Sequence, residues 1–474
     1  MLRIQKPVLY IPLEIYRREL NGMLLFSLTA TQMGWRVLIG GKKVLLPNLH
    51  QLPEGTVLLK SIVPGELELQ EKILGQGHNI ASIDAEGLLP SNGKSGVELR
   101  YTEATIKKSH LLCFWGEEQF QQVKNIFHCV QENSVVTGSP IFDYWKYLKK
   151  VNTYRQKNEK KTILIATSFP YPNHFINREM SYESVRAASG KNATKEHLDE
   201  IFLDGQLQDL VYPLFKNFVK KIIQNFSDCN IVLRPHPSES PAPWQELASG
   251  FDNVKMSLSG EISPLLLESD VLVHFNSTTS IEAHFYEKQI ITFIPKEVEQ
   301  KLFKRLNTHA LNASRISTTV EEGVMFISEA LTGNKYQSRL ELEKIIIDCF
   351  DKRVNSSSSN ILQSLEKLKN MNPSRPLPSF IRMNLNIGAI KNILKLRLIW
   401  LLGWIDFLTN LFRGKYASNR SYYSYGKTKQ GKLSSEEIKN KAATMAKEIK
   451  VNFNTIQIKK IKNGLYLIES NDKC

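Results

Sequence analysis

Short apolar runs alternate with longer stretches of helical spacing along most of the chain. Val8–Leu13 reads as a strand, and Glu14 to Met33 carries Leu20, Leu24 and Leu28 four residues apart, the spacing of one helix face. Gly34 closes that helix, and Arg36–Ile39 is a second strand that ends at Gly40-Gly41. Further strands are predicted at Thr56–Leu59, Asn79–Ile83, Leu111–Trp115 and Ser134–Thr137, with a helix over Leu67–Leu74. Strands separated by helices of roughly ten to twenty residues imply βα units and a parallel sheet.

The pattern then repeats. Lys149 to Lys161 holds five lysines and an arginine and reads as a linker. Thr162–Ala166 restarts the strands, followed by the loop Ser168–His174 and polar sequence to about Asp204. A helix is predicted over Leu207–Phe226, with Pro213 inside it, and strands at Ile231–Leu233, Val254–Met256, Val271–His274 and Ile290–Phe293. From Glu321 the spacing turns helical, with polar joints at residues 355–359 and 373–378. Ile456–Ile461 and Leu465–Ile468 flank Asn463-Gly464, a hairpin signature. The expected class is α/β, with two doubly wound parallel-sheet (Rossmann-like) domains facing a cleft. The first, 1–150, would hold the acceptor and the catalytic groups, and the second, 160–350, the nucleotide. Residues 371–474 would form a basic helical extension ending in the hairpin.

Charge changes the picture mainly at the C-terminal end. Of the net +15, residues 371–474 supply +13, from 19 Lys and Arg against 6 Asp and Glu, so the first 370 residues carry only +2. Within that tail, Leu394 to Phe412 is apolar, bears Trp400 and Trp404, and is flanked by basic residues, which fits a helix lying on a membrane surface or packed on protein. Tyr416, Tyr422, Tyr423 and Tyr425 alternate with Arg and Lys, a composition that suits lipid headgroups or stacked bases. The five cysteines are scattered without a CxxC pair, as in a reducing compartment. No signal peptide and no run long enough to span a bilayer is expected, so the protein is read as cytoplasmic.

Candidate chemistry gathers where strands end. Asn230–Pro237 is a strand that stops at Pro235 and projects Arg234 and His236, which Pro235 and Pro237 hold in a fixed turn. Arg234 offers a donor fork to a phosphate, and His236 a hydrogen bond or an acid. Some forty residues on, Asp270–Phe275 is followed by Asn276-Ser-Thr-Thr-Ser280 and a helix that includes Glu282. Capping needs one hydroxyl. Four in succession at a helix start suit an anion. In doubly wound sheets ligands bind at such carboxyl ends.

The pair formed by Arg234-Pro-His-Pro237 and Asp270-Val-Leu-Val…Asn276-Ser-Thr-Thr-Ser-Ile-Glu-Ala283 resembles the nucleotide-binding half of GT-B glycosyltransferases that use CMP-activated sugars. The closer likeness is to bacterial surface-carbohydrate (lipopolysaccharide and capsule) proteins, including β-Kdo transferases, and covers roughly residues 5–330. The resemblance implies that His236, Pro237, Ser277, Thr278 and Thr279 hold the CMP phosphate and cytidine, and that Glu282 lies near the ribose; Arg234 and Asn276, in the same two motifs, are further nucleotide-binding candidates. CDP-glycerol-type polyol-phosphate transferases share a similar pair of motifs. They remain an alternative, in which His236 or His274 would carry catalysis. A non-enzymatic basic scaffold is a third reading.

A sugar transferase needs acid/base or nucleophilic groups across the cleft. Asp84 and Glu86, in the turn Asp84-Ala-Glu-Gly87 after a strand, are the catalytic candidates: desolvation would separate their pKa values, leaving one as general base or as nucleophile. The turn looks similar to the acidic-Gly motif of CMP-sugar transferases. Arg17 and Glu19 after the first strand, and Asn173 and His174 on the opposite lip, are weaker acceptor-side candidates. No Walker, Gly-x-Gly-x-x-Gly or Asp-x-Asp sequence occurs, so neither a cofactor nor a metal is expected. The expected partners are a nucleotide-sugar donor, a glycan or glycolipid acceptor and an anionic membrane surface contacted through 390–432, with nucleic acid not among them. The expected function is transfer of a sugar, Kdo or a related keto-sugar acid, to a polysaccharide or lipopolysaccharide precursor at the inner face of the plasma membrane.

Overall fold

A computed structural model describes residues 6–87, 93–152, 160–189, 194–334, 336, 356–369, 434–462 and 464–471. Two parallel sheets carry the chain. In the first half the strands are β1 (Val8–Leu13), β2 (Arg36–Gly41), β3 (Thr56–Leu59), β4 (Asn79–Ile83), β5 (Leu111–Phe114) and β6 (Ser134–Val136), side by side in the order 2-1-3-4-5-6. The second half holds β7 (Thr162–Ala166), β8 (Asn230–Arg234), β9 (Val254–Met256), β10 (Val271–His274), β11 (Gln289–Phe293) and β12 (Arg315–Ser317), in the order 12-11-10-7-8-9. Both are doubly wound, and the second has the strand order of a dinucleotide-binding sheet. With helices on both faces, strands such as β1, β7 and β10 are buried along their whole length, which explains their unbroken apolar runs. The two sheets face a cleft in the GT-B-like arrangement expected from the sequence.

The helices depart from the sequence pattern where tertiary contacts decide. The helix before β8 begins at Lys195 rather than near Leu207 and runs to Asn225 through Pro213. Its polar first turns are held by Arg305, which bonds Asp204 Oδ1 at 2.7 Å and Oδ2 at 3.0 Å and lies 3.5 Å from Glu200. A further helix, Glu179–Ser189, lies in the stretch read only as polar sequence, and the short strand β12 has no predicted counterpart. Lys149 and Lys150, read as the start of a linker, form the last turn of the helix Pro140–Asn152.

After the second sheet the chain returns to the first half. The serine run read as a joint caps a helix, Ser357–Leu365: Asp143 accepts from the backbone N–H groups of Ser357 (3.2 Å) and Ser358 (2.7 Å). Ile361, Leu362 and Leu365 enter the same buried cluster as Leu20, Leu24 and Leu28. A helix Ser435–Glu448 also packs there. The expected hairpin is present as β13 (Ile456–Lys462) and β14 (Leu465–Ser470), and β14 pairs antiparallel with β2, extending the first sheet to eight strands. This close pairing needs glycine at Gly40, where a Cβ would stand 2.1 Å from the Gly464 carbonyl oxygen. The apolar stretch 394–412 and the tyrosine-rich run after it lie outside the described residues. Among the described residues no helix is long and apolar enough to cross a membrane.

Candidate functional site

A cavity of about 750 Å³ opens between the carboxyl ends of the two sheets. Its second-half wall is the switch in strand order between β7 and β10, where loops diverge to opposite faces and leave a crevice. Ser168 after β7, the His236 turn after β8 and Asn276–Glu282 after β10 all line it. Two stretches forty residues apart in sequence thus share one wall.

Glu239 organises the His236 turn. Buried, it accepts hydrogen bonds from Thr167 Oγ1 (2.7 Å), Asn173 Nδ2 (3.2 Å), Trp244 Nε1 (3.0 Å) and the His236 backbone N–H (3.1 Å). Burial raises its pKa, and hydrogen bonds from Thr167, Asn173 and the backbone N–H groups of Phe169 and His236 oppose that rise. The Ser238 N–H donates to His236 Nδ1 at 3.2 Å, which places the imidazole proton on Nε2. His236 therefore presents an Nε2–H donor at an exposed edge of the cleft.

Arg234 corrects the sequence reading. It lies at the cleft, but its guanidinium is buried and donates to Ser257 Oγ at 3.0 Å and to the carbonyls of Ser257 (3.2 Å), Ser259 (2.6 Å) and Gly260. Its fork clamps the 257–260 loop. Asn173 and His174 are not on the cleft wall. Asn173 also donates to the Ser240 carbonyl at 2.9 Å, and His174 Nδ1 accepts from the Ile176 N–H at 3.1 Å, so both fasten the loops beneath the His236 turn.

After β10, Asn276 takes a left-handed conformation (φ 46°), and its Oδ1 accepts the Asn307 N–H at 2.6 Å. Ser277 Oγ accepts from the Thr279 N–H at 3.3 Å and donates to Thr279 Oγ1 at 3.1 Å. Thr278 is exposed to the cleft and makes no side-chain cap. His274 supports the turn from below. Its Nδ1 accepts the Ser277 N–H at 3.2 Å, its Nε2 meets Ser314 Oγ at 2.9 Å, and burial pushes its pKa down to about 3. It is a neutral, fully engaged core histidine.

Glu282 is buried against Ser263, whose hydroxyl donates to Oε1. Desolvation, with the charge of Glu261 adding to it, raises the Glu282 pKa to about 8. Glu261 is likewise pushed up by burial and accepts from Tyr144 of the first half at 2.6 Å.

The opposite wall follows the switch between β1 and β3. Glu14 and Glu19 come after β1, and Lys60 after β3: Lys60 Nζ stands 2.7 Å from Glu14 Oε2 and 3.7 Å from Glu19 Oε1. The turn after β4 carries Asp84 and Glu86, whose common partner is Arg100. Asp84 is buried and receives both Arg100 Nε (2.6 Å) and Nη2, Tyr101 OH (3.2 Å) and the Glu86 N–H (2.9 Å). Glu86 is half-exposed, 3.1 Å from Arg100 Nη1 and 3.4 Å from Arg18 Nη1. Desolvation alone would raise its pKa, but Arg100, Arg18 and Lys60 outweigh it and lower the value to about 2. The carboxylate therefore stays ionised, held so by its cationic neighbours. Gly87 is required because its Cα lies on the Trp115 indole, where a Cβ would come within 2.5 Å. Arg17 is the second residue of the helix Tyr16–Gln32, and its side chain lies outside the described residues.

Arg100, Glu239, Glu261 and Lys60 were not anticipated. Glu239 had a signal, an acid three residues after His236 in a turn rich in donors. The other three are brought in by packing. Among the described residues no group of three His, Cys, Asp or Glu is placed to hold a metal.

No protein-family model and no curated protein matches the chain. Solved structures do. S. aureus MnaA, in a co-structure with UDP, is 14% identical with a TM-score of 0.46, over 78% of this chain and 99% of that one. UDP-GlcNAc 2-epimerase from Neisseria meningitidis, bound to UDP-GlcNAc, gives 12% and 0.44, over 76% and 100%. The wall teichoic acid polymerase TagF with CDPG gives 12% and 0.46, over 76% and 88%. Likenesses of this size carry nothing about the chemistry of this chain.

Proposed function

We propose that the protein is a metal-independent glycosyltransferase that moves a sugar from a CMP-activated donor to a surface-glycan or glycolipid acceptor. The observation that carries this is the meeting of the His236 turn and the Ser277–Thr279 turn on one wall, facing Glu86 and Asp84 across the cleft. His236 Nε2–H and the hydroxyls of Ser277 and Thr278 meet the nucleotide phosphate, and Glu282 lies where ribose hydroxyls would reach. Glu86, held ionised, faces the anomeric carbon and stabilises or captures the positive charge that builds there. Asp84, with its oxygens spent on Arg100 and Tyr101, aligns the turn and does not take the proton. The keto-sugar acid donor is the finer form of this reading. The 390–432 segment, on the same reading, brings the protein to the inner face of an anionic membrane, where a glycolipid acceptor is presented.

Calorimetry with CMP tests the grip: His236→Ala weakens binding, and equal affinity in the two proteins removes the site assignment. CMP release across candidate donors, with EDTA present, then identifies the transferred group.

One observation favours a second reading. An acid turn locked by Arg100 suits a reaction that does not rest on it, as in transfer of a polyol phosphate from a CDP-polyol. With His274 neutral and engaged, catalysis would then rest on His236. Loss of CMP release in Glu86→Ala supports the sugar transferase, and full release in Glu86→Ala from a CDP-polyol supports the alternative.

A further inference from the structure

The two walls of the cleft belong to different halves, so contacts crossing between them set the distance a reaction spans. One such contact is partly buried and lines the cleft. Asn21 Nδ2 donates to Tyr144 OH at 3.0 Å, and Tyr144 OH donates across the halves to Glu261 Oε2 at 2.6 Å. Glu261 follows directly on Gly260, whose carbonyl is held by Arg234. Arg234 in turn lies two residues before His236. An unbroken path therefore runs from the helix Tyr16–Gln32 to the nucleotide wall: Asn21, Tyr144, Glu261, the 257–260 loop, Arg234 and the His236 turn.

The same helix Pro140–Asn152 touches the second half again further along, through Lys149 Nζ to Glu287 Oε1 (2.6 Å) and Trp145 against Phe285 (5.8 Å between rings). The Lys149 pair is exposed and contributes little. Apolar contact lets surfaces slide, whereas a short hydrogen bond to a partly buried carboxyl fixes both distance and direction.

We propose that Tyr144 and Glu261 are positioning residues, their hydrogen bond holding the nucleotide wall at its working distance from the Asp84–Glu86 wall. The kinetic consequence rests on the transferase reading, but the closure itself does not. Reaction across a cleft is sensitive to misplacement on the scale of 1 Å, which costs on the order of a hundredfold. Removing the phenol hydroxyl thus lowers turnover while the second half's nucleotide contacts stay in place.

The test uses the full chain in four forms: wild type, Tyr144→Phe, Glu261→Gln and Glu261→Ala. Small-angle scattering with and without CMP reads the separation of the halves, and calorimetry reads CMP affinity. CMP release at saturating donor reads kcat. Tyr144→Phe is expected to increase the radius of gyration and lower kcat by about tenfold or more, with CMP affinity within about twofold of wild type. Glu261→Gln, which still accepts from the phenol, is expected to keep the wild-type dimensions, whereas Glu261→Ala opens the protein as Tyr144→Phe does. Unchanged scattering in both Tyr144→Phe and Glu261→Ala overturns the proposal, as does a loss of CMP affinity in Tyr144→Phe without opening. If wild type releases CMP from no donor, the transferase reading fails, and the scattering arm still decides the closure.

Discussion

Arg100 Nε donates to Asp84 Oδ2 at 2.6 Å in a turn where the carboxylate is almost wholly buried. Removing one partner of a buried pair leaves an uncompensated charge, which costs about 3–5 kcal/mol. Arg100→Ala should therefore lower the unfolding free energy by that amount in urea titrations. Arg100→Lys should recover only part of it, because an ammonium cannot span both Asp84 oxygens and Glu86. Adding Asp84→Asn to Arg100→Ala should restore stability, since the buried charge is gone. A loss under about 1 kcal/mol in Arg100→Ala would show that water reaches Asp84 and that the clamp is loose.

Glu239 does not itself line the cleft, yet its carboxylate holds the His236 backbone, which does. Glu239→Gln replaces one accepting oxygen with an N–H that faces donors from Thr167, His236, Asn173 or Trp244. A mispaired buried donor costs about 1–3 kcal/mol. The turn should shift to relieve it, and CMP affinity should fall by about tenfold, the equivalent of 1.4 kcal/mol. Calorimetry measures this, and an unchanged affinity with wild-type stability would mean that Glu239 does not set the turn.

These two residues also mark the limit of what the sequence discloses. The strands were legible because parallel sheets bury both faces, so β1, β4, β7, β8 and β10 appear as bare apolar runs. The second-half wall of the cavity was legible because Pro235, Pro237 and the hydroxyl run announce strand ends. Side-chain direction was not. Arg234 has the residue type for a phosphate, but its guanidinium donates to three carbonyls and a hydroxyl of the 257–260 loop. Arg100 and Glu261 reach the site from sixteen residues downstream of Asp84 and from the other half. The helix from Lys195 was hidden because its polar turns pair with Arg305, a hundred residues away.

The raised pKa of Glu282 has a definite sign in pH. Its folded value, about 8, stands above the ordinary 4.5, with desolvation as the main cause. Below about pH 4.5 the group is protonated in both states and has no effect. Between about 4.5 and 8 the folded protein keeps a proton that the unfolded chain has released, so stability falls as pH rises and levels off above 8. Three and a half pH units set an upper bound of about 5 kcal/mol. Glu261, raised in the same direction, adds to the slope. Urea unfolding between pH 5 and 9 should show wild type losing stability toward pH 9, and Glu282→Gln a flatter curve. Parallel curves would mean that Glu282 is hydrated in the folded protein.

The C-terminal hairpin is a part of the first sheet and not an appendage to it. Tyr466, Leu467 and Ile468 of β14 are buried, and their pairing with β2 covers an edge beside Arg36–Gly41. Ile438, Ala442 and Met445 of the helix before it complete the apolar cover of the helix Tyr16–Gln32. A chain ending at residue 433 should expose both the β2 edge and that helix face, and unpaired strand edges of this kind aggregate. It should therefore be recovered as insoluble protein, whereas loss of a mere appendage would leave the rest soluble. Gly40→Ala examines the same joint by one methyl group. Its Cβ would meet the Gly464 carbonyl at 2.1 Å, and backbone on both sides leaves no flexible group to give way. Overpacking of this kind costs about 1–3 kcal/mol. Gly40→Ala should unfold at lower temperature than wild type, with faster hydrogen exchange along β14. If exchange along β14 is instead unchanged, β14 is not held against β2 in solution, and the shortened chain should then remain soluble as well.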